Sequence, residues 1–249
     1  MLRVCPANSR GRLRLSRLKA MTLAALTTEH FLANADHTLL APPTTAAELD
    51  AFLTDAAALG VKRVCVSPSL LPVDKRGLGI VTVVGFPSGV HKAEVKAFEA
   101  AQAVADGADE VDMVVNPALV HAGEWEALAA EIRTVRAACP DSVLKVIIES
   151  ASLTDEQIVG CCKASEAAGA DFVKTSTGFN AAGGASVHAV RIMAETVGDR
   201  LGVKASGGIR DAETARELWA AGATRFGVSA TGAIVAGWDS AAAAEGSGY

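Results

Sequence analysis

The sequence predicts a single-domain (β/α)8 barrel, the TIM-barrel architecture, and three observations predict it. Similar phrases recur along the chain: LGVKRVCV from Leu59, DGADEVDM from Asp106, AGADFVKT from Ala168 and AGATRFGV from Ala221. Each follows an Ala-rich run of helical period, carries a Gly near the helix end and passes into a β-branched strand, so one helix–strand unit is being repeated. Eight such strand cores occur at intervals of roughly 20 to 33 residues, with no Pro/Ser-rich linker to divide the 249 residues. An open doubly wound sheet is the alternative, but the fingerprint G-x-G-x-x-G is missing after the first strand.

In chain order, the strand cores fall at 36–40, 61–66, 80–84, 110–115, 143–148, 172–174, 202–205 and 225–228. Segments of helical period lie between most of them, at 45–59, 91–106, 124–139, 154–168, 186–197 and 211–221. The stretch 68–79 is too short and too broken by Pro and Gly to form a full helix.

Composition supports a large packed core. Half of the residues are hydrophobic, 20% are charged and only 4% aromatic, with 23 Gly and a mean hydropathy of +0.29, which is the opposite of a disordered chain. A net charge of -5 offers no basic field to nucleic acid or to an anionic membrane, and neither partner is expected. No run of about 20 uncharged apolar residues appears. The charge is unevenly placed, because residues 1–20 hold Arg3, Arg10, Arg12, Arg14, Arg17 and Lys19 and no acid. Without them, 17 basic residues face 28 acidic ones. The expectation is a disordered basic extension over 1–20, or an upstream start with Met21 as initiator, ahead of a barrel over 21–249 with a flexible C-terminal tail. A transit peptide is the other reading of the arm. Cys5, Cys65, Cys139, Cys161 and Cys162 are odd in number and lack C-x-x-C spacing, which suits a reducing, cytoplasmic compartment. The five histidines show no ligand spacing, so no metal site is expected.

In a barrel, reactive groups stand at the C-terminal ends of strands, and burying an unpaired charge is costly. Alternation in EVDMVVN puts Asp112 on the inward face with Glu110 and Val114. The same parity turns Lys145 inward with Val143 and Ile147, Lys174 with Phe172 and Ser176, and Lys204 with Gly202 and Ser206. One reading is a structural ion-pair cluster. Three lysines against few inward carboxylates, however, leave excess positive charge that one lysine relieves by losing its proton. Moving a lysine pKa from about 10.4 to about 7 takes roughly 4–5 kcal/mol, within reach of burial plus a second ammonium. A neutral lysine amine is a nucleophile toward carbonyls, and a carboxylate beside it serves proton transfer. Beyond Lys204, the run Ser206-Gly207-Gly208-Ile209-Arg210 and the strand end Gly227-Val228-Ser229 lie where barrels often bind phosphate. An Arg210–Asp211 surface pair is the plainer reading of that arginine.

These residues resemble the deoxyribose-phosphate aldolase family of class I aldolases. The likeness runs over about residues 30–230 through DHTLL (36–40), VGFPSG (84–89), GADEVDMVVN (107–116), LKVIIES (144–150), GADFVKTSTGF (169–179) and VKASGGIR (203–210). It implies reversible cleavage of 2-deoxy-D-ribose 5-phosphate to acetaldehyde and D-glyceraldehyde 3-phosphate, a lyase reaction of deoxyribonucleotide catabolism, without metal or organic cofactor. By resemblance, Lys174 forms the Schiff base, Lys204 depresses its pKa and helps move protons, Asp112 is the acid/base and Lys145 extends the relay. Asp36 and Thr38 bind a substrate hydroxyl, with Asp36 as a simple turn cap the alternative. Thr177 joins the substrate site, and Gly207, Gly208, Arg210, Gly227 and Ser229 form the phosphate cradle. Tyr249 is either a mobile catalytic tail or an ordinary chain end.

The chain departs from the family pattern at Phe179, where some members have a lysine, at Ala230, where a second serine is common, and at Ser67, which replaces a frequent asparagine. Barrels of this type often pair, so a homodimer is the partner expected besides the small phosphorylated aldehyde. Two other functions fit the same residues: a different Schiff-base sugar-phosphate aldolase or transaldolase-like barrel, and a catalytically silent sugar-phosphate binding protein.

Overall fold

The computed structural model describes residues 26–245, with side chains described as far as residue 238. The basic arm expected over 1–20 and Tyr249 with its tail lie outside the described residues.

Eight parallel strands close into a barrel in sequence order, the first pairing with the last. They are β1 (Ala35–Leu39), β2 (Arg63–Val66), β3 (Gly79–Val84), β4 (Glu110–Val114), β5 (Val143–Ile147), β6 (Phe172–Lys174), β7 (Gly202–Ser206) and β8 (Arg225–Val228). All eight expected strands are present, displaced at their ends by no more than two residues. Around them stand α1 (Thr28–Asn34), α2 (Ala46–Leu59), α3 (Ala93–Ala105), α4 (Pro117–Ala122), α5 (Trp125–Ala138), α6 (Asp155–Ala167), α7 (Val187–Val197), α8 (Ala212–Ala220) and α9 (Thr231–Glu245).

Local chemistry sets many of these boundaries. Thr45 opens α2 and Thr154 opens α6 with reciprocal capping boxes to Glu48 and Gln157, which satisfy amides that a helix start leaves bare. Asp211 caps α8 by accepting from the Thr214 amide, so its carboxylate serves the helix rather than Arg210. The broken stretch after β2 contains only a 3-10 turn, Pro68–Leu70. Besides α9, whose Ala-rich run shows little helical period, two short helices escaped the periodicity argument because neither has two full turns of pattern. One is α4, started by Asn116 and Pro117; the other is α1, whose Phe31 is buried with ring centroids 5.4 Å from both Phe226 and Trp238.

The main core lies between the outer faces of the strands and the helices, through Val64, Ile80, Val111, Met113, Leu144, Val146, Val173 and Val203. Fully burying each such side chain contributes on the order of 1.5–3 kcal/mol. Inside the barrel, β2 and β3 present a small apolar patch of Cys65, Val81 and Val83, against which Leu40 and Phe86 pack. The rest of the inner wall carries the buried charges Asp36, Glu110, Asp112, Lys145, Lys174, Lys204 and Arg225 among apolar neighbours such as Ile147. Among the described residues, no helix is long and apolar enough to cross a membrane.

Candidate active site

Register explains how five strands bring their side chains together. Asp112 on β4 pairs with Lys145 on β5, Lys174 on β6 with Lys204 on β7, and Lys204 with Arg225 on β8. Because alternate residues share a face, all of these side chains enter the barrel interior.

Asp112 is the hub and is fully buried. Its Oδ1 accepts from Lys145 Nζ at 2.8 Å, while its Oδ2 accepts from both Lys174 Nζ at 2.8 Å and Lys204 Nζ at 2.7 Å. Lys204 also reaches Asp36 Oδ2 at 2.5 Å, and the other oxygen of Asp36 accepts from Arg225 at 2.8 Å and from Arg63 at 3.1 Å. One step deeper, Glu110 Oε2 lies 2.5 Å from Lys145 Nζ and 3.2 Å from Arg225, whose guanidinium stands 5.3 Å over the Phe172 ring.

The expectation of few inward carboxylates is corrected by this count of contacts. Asp36, Glu110 and Asp112 all point inward, and Arg225, which sequence reasoning did not single out, joins the three lysines. Four cations therefore face three carboxylates in the centre, with Arg63 reaching Asp36 as a fifth, so positive charge is in excess. Arg225 and Glu110 carried the same inward parity as Gly227 and Asp112, and that signal was sufficient to find them.

Lys174 and Lys204 shift in opposite directions. Burial lowers its pKa, and the ammonium of Lys204 lowers it further against the opposing pull of Asp112. Lys204 moves the other way: burial alone would lower it, but Asp112 and Asp36 outweigh burial and raise it. Asp112 is held well below the ordinary carboxylate range, because the three lysines overcome the upward push of burial. Asp36 is lowered in the same manner, by Lys204, Arg225 and Lys145 against burial. Lys174 is also 3% exposed where Lys145 and Lys204 are 0%, so it is the lysine that faces the barrel mouth. Both oxygens of Asp36 and of Asp112 are already held by cationic nitrogens, so a metal ion there would have to displace them.

Glycine makes the space for Lys204. A Cβ at Gly227 would lie 2.9 Å from Ser206 Cβ and 3.1 Å from Lys204 Cε, and Gly227 has no positive φ to explain its identity otherwise. The structure thus places Gly227 beside the lysine side chain, within the strand, rather than among the exposed loop residues.

The other expected binding residues ring the C-terminal mouth. Thr38 is half-buried and its hydroxyl donates to the Asp36 carbonyl at 2.8 Å, whereas the Asp36 carboxylate sits below it without solvent contact. Gly207 and Gly208 have φ of 86° and 80°, a turn that L residues resist. The β6–α7 loop lies directly on this turn: Ala185 N donates to Gly207 O at 3.0 Å, and a Cβ on Gly184 would meet that oxygen at 2.1 Å. Arg210 and Ser229 are exposed above it. Thr177 is half-buried and joins Val114, Val120, Ile148 and Phe179 around a cavity of about 320 Å3. Phe179 meets Phe86 edge to face, centroids 5.3 Å apart, on its rim.

Comparison with known proteins agrees with this geometry. Residues 30–236 match the family model described as DeoC/LacD family aldolase. The deoxyribose-phosphate aldolase of Kocuria rhizophila is 58% identical over 217 residues, 86% of this chain and 100% of that one. The Corynebacterium diphtheriae protein of the same name is 61% identical over 202 residues, 80% of this chain and 93% of that one. Among solved structures, the tetrameric deoxyribose phosphate aldolase of Aeropyrum pernix superposes with a TM-score of 0.81 at 30% identity, covering 94% of this chain and 99% of that one. A barrel with this ionic centre, a family model spanning most of its length and relatives above half identity lead to one assignment: the chain belongs to the DeoC/LacD aldolase family.

Proposed function

We propose that the protein is a class I aldolase that reversibly cleaves 2-deoxy-D-ribose 5-phosphate to acetaldehyde and D-glyceraldehyde 3-phosphate through a Schiff base on Lys174. The observation that carries this reading is the single oxygen, Asp112 Oδ2, bonded to both Lys174 Nζ and Lys204 Nζ. It supplies what imine chemistry needs: an amine with lowered basicity, a neighbouring ammonium that stays protonated, and a carboxylate between them.

In the cleavage direction, the Lys174 amine adds to the substrate aldehyde carbon, and the carbinolamine loses water to leave an iminium. The proton that makes hydroxide a better leaving group comes from the Lys204 ammonium, held in place by Asp112, whose other oxygen is fixed by Lys145. The C3 hydroxyl proton then passes to the Lys204–Asp112 pair, restoring the one spent on dehydration, as the C2–C3 bond breaks, D-glyceraldehyde 3-phosphate leaves and the two-carbon fragment remains as an enamine on Lys174. The same pair protonates the enamine carbon, and hydrolysis of the resulting iminium gives acetaldehyde, the free amine and the proton back. The iminium withdraws the electron pair of the breaking bond, and the packed ionic centre is already oriented when that charge moves.

The mouth residues complete the reading. Thr38 and Thr177 face the sugar hydroxyls, while the Gly207–Gly208 turn, Arg210 and Ser229 receive the phosphate through amides, a guanidinium and a hydroxyl. With Phe179 and Ala230 at the departing positions, backbone amides and Arg210 carry more of the phosphate contact. Borohydride reduction in the presence of acetaldehyde tests the chemistry. An ethyl group on the Lys174 peptide supports it; adduct formation with dihydroxyacetone in place of acetaldehyde would favour a transaldolase-like donor. Binding of the sugar phosphate without any adduct would make the protein a silent binder.

A further inference from the structure

The loop that follows β5 carries two unfavourable features at one residue. Glu149 adopts φ 57°, ψ 50°, the left-handed region that a side chain with a Cβ resists by on the order of 1–3 kcal/mol. Its Oε2 is also buried without a hydrogen-bond partner. Either feature alone is tolerable. Together they persist only if neighbouring contacts over-determine the conformation.

Beyond the local turn, in which Ser152 donates to the Glu149 carbonyl, three contacts run to the segment carrying the nucleophile. Ile148 N donates to Lys174 O at 3.0 Å and Ser150 N to Thr175 O at 2.9 Å, so the chain on either side of Glu149 extends the β5–β6 ladder past its last paired residues. Between these two bonds, Glu149 Oε1 accepts from the amide of Thr177. A straight strand would send residue 149 on along the ladder. The left-handed turn instead bends its side chain across to Thr177, three residues beyond Lys174, where the β6–α7 loop begins. The fully buried hydroxyl of Ser176, inward by the same parity as Lys174, lies in the stretch so clamped, and neither it nor the Ser150 hydroxyl has a partner. Three of the four unpartnered buried polar atoms among the described residues thus cluster at the ends of β5 and β6.

We infer that Glu149 is a positioning residue: its carboxylate, delivered by a strained turn, fixes the Thr177 amide and with it the loop that closes over the acceptor half of the substrate. This rests on the aldolase reading, because Thr177 and the Gly207 turn beneath that loop are substrate-binding only under it. The donor half of the reaction takes place on Lys174, inside the strand ladder, and does not depend on the loop.

The test separates strain from hydrogen bonding. Glu149→Gly accepts the left-handed backbone and removes the carboxylate, whereas Glu149→Gln keeps an acceptor oxygen at the same reach. Glycine at 149 is expected to raise KM for 2-deoxy-D-ribose 5-phosphate by about ten-fold, the size of one lost charged hydrogen bond, with a smaller change in kcat. Glutamine is expected to restore most of the loss. A glycine variant that is folded by circular dichroism and has unchanged KM would overturn the inference, as would a fall in kcat at constant KM. Acetaldehyde trapping of the unsubstituted enzyme is run alongside. No adduct there sinks the aldolase reading itself; an adduct there with unchanged KM in the glycine variant sinks only the role of Glu149.

Discussion

Lys174 and Lys204 stand opposite each other across the β6–β7 ladder and donate to the same oxygen of Asp112, at 2.8 and 2.7 Å. Two ammonium groups so placed in a buried site cannot both stay charged at low cost. The surrounding charges decide which one yields, since Asp36 binds Lys204 and leaves Lys174 with Asp112 alone.

That asymmetry has a pH signature. Lys174 is lowered in the folded protein, so its neutral, nucleophilic form appears as pH rises through the lowered pKa, and adduct formation should rise with it. Lys204→Met removes the repelling ammonium and frees Asp112 to bind the Lys174 proton more tightly. Both changes raise the Lys174 pKa, so the pH profile of borohydride trapping should move to higher pH. An unmoved profile in the folded variant would contradict the coupling.

Gly227→Ala adds one methyl group toward Lys204 Cε and Ser206 Cβ without backbone strain. Overpacking should cost about 1–3 kcal/mol in denaturant unfolding. Turnover should fall further, by about 100-fold, because displacing Lys204 by a fraction of an ångström disturbs both partners of Asp112 Oδ2. Equal losses in stability and none in kcat would show that the glycine serves packing alone.

Most of the fold and the three inward lysines were legible because both depend on period two. Parity within VLKVIIE, DFVKTS and GVKASGG turned Lys145, Lys174 and Lys204 inward, and the barrel's register then brought them together. The depth of each layer was not legible, because it depends on how the strands are staggered around the barrel. That is why the Asp36 carboxylate, which sits under Lys204, reads from the sequence as a contact for substrate. Glu149 was hidden for another reason. Its role depends on a left-handed turn and on an amide 28 residues away, neither of which leaves a local pattern.

Outside the barrel, Lys96 on α3 is fully buried, donating at 2.7 Å to Glu131 on α5 and at 2.7 Å to the Val114 carbonyl, two residues beyond Asp112. Gly85 leaves room for its stem, since a Cβ there would lie 2.8 Å from Lys96 Cε. Lys96→Met strands the Glu131 carboxylate and should destabilise the protein by about 3–5 kcal/mol, read from urea unfolding. Adding Glu131→Gln should recover part of that loss, and a simple sum of two penalties would argue against pairing.

Cys65, Cys139, Cys161 and Cys162 are all buried, and burial pushes Cys65 up to about 11 and Cys162 up to about 12. A neutral-pH thiol reagent should leave these four unlabelled in native protein and modify them after denaturation, as followed by peptide mapping. Fast native labelling of any of them would mean that the barrel or its helices open readily.

Lys174, and no other lysine, is expected to become the imine. Reduction with borohydride in the presence of acetaldehyde, followed by peptide mass analysis, reads donor, chemistry and residue together. One ethyl group is expected, on the peptide containing Lys174, with its loss in Lys174→Ala. Folded protein with Lys174 unmodified, or an adduct on Lys145 or Lys204 instead, would contradict it.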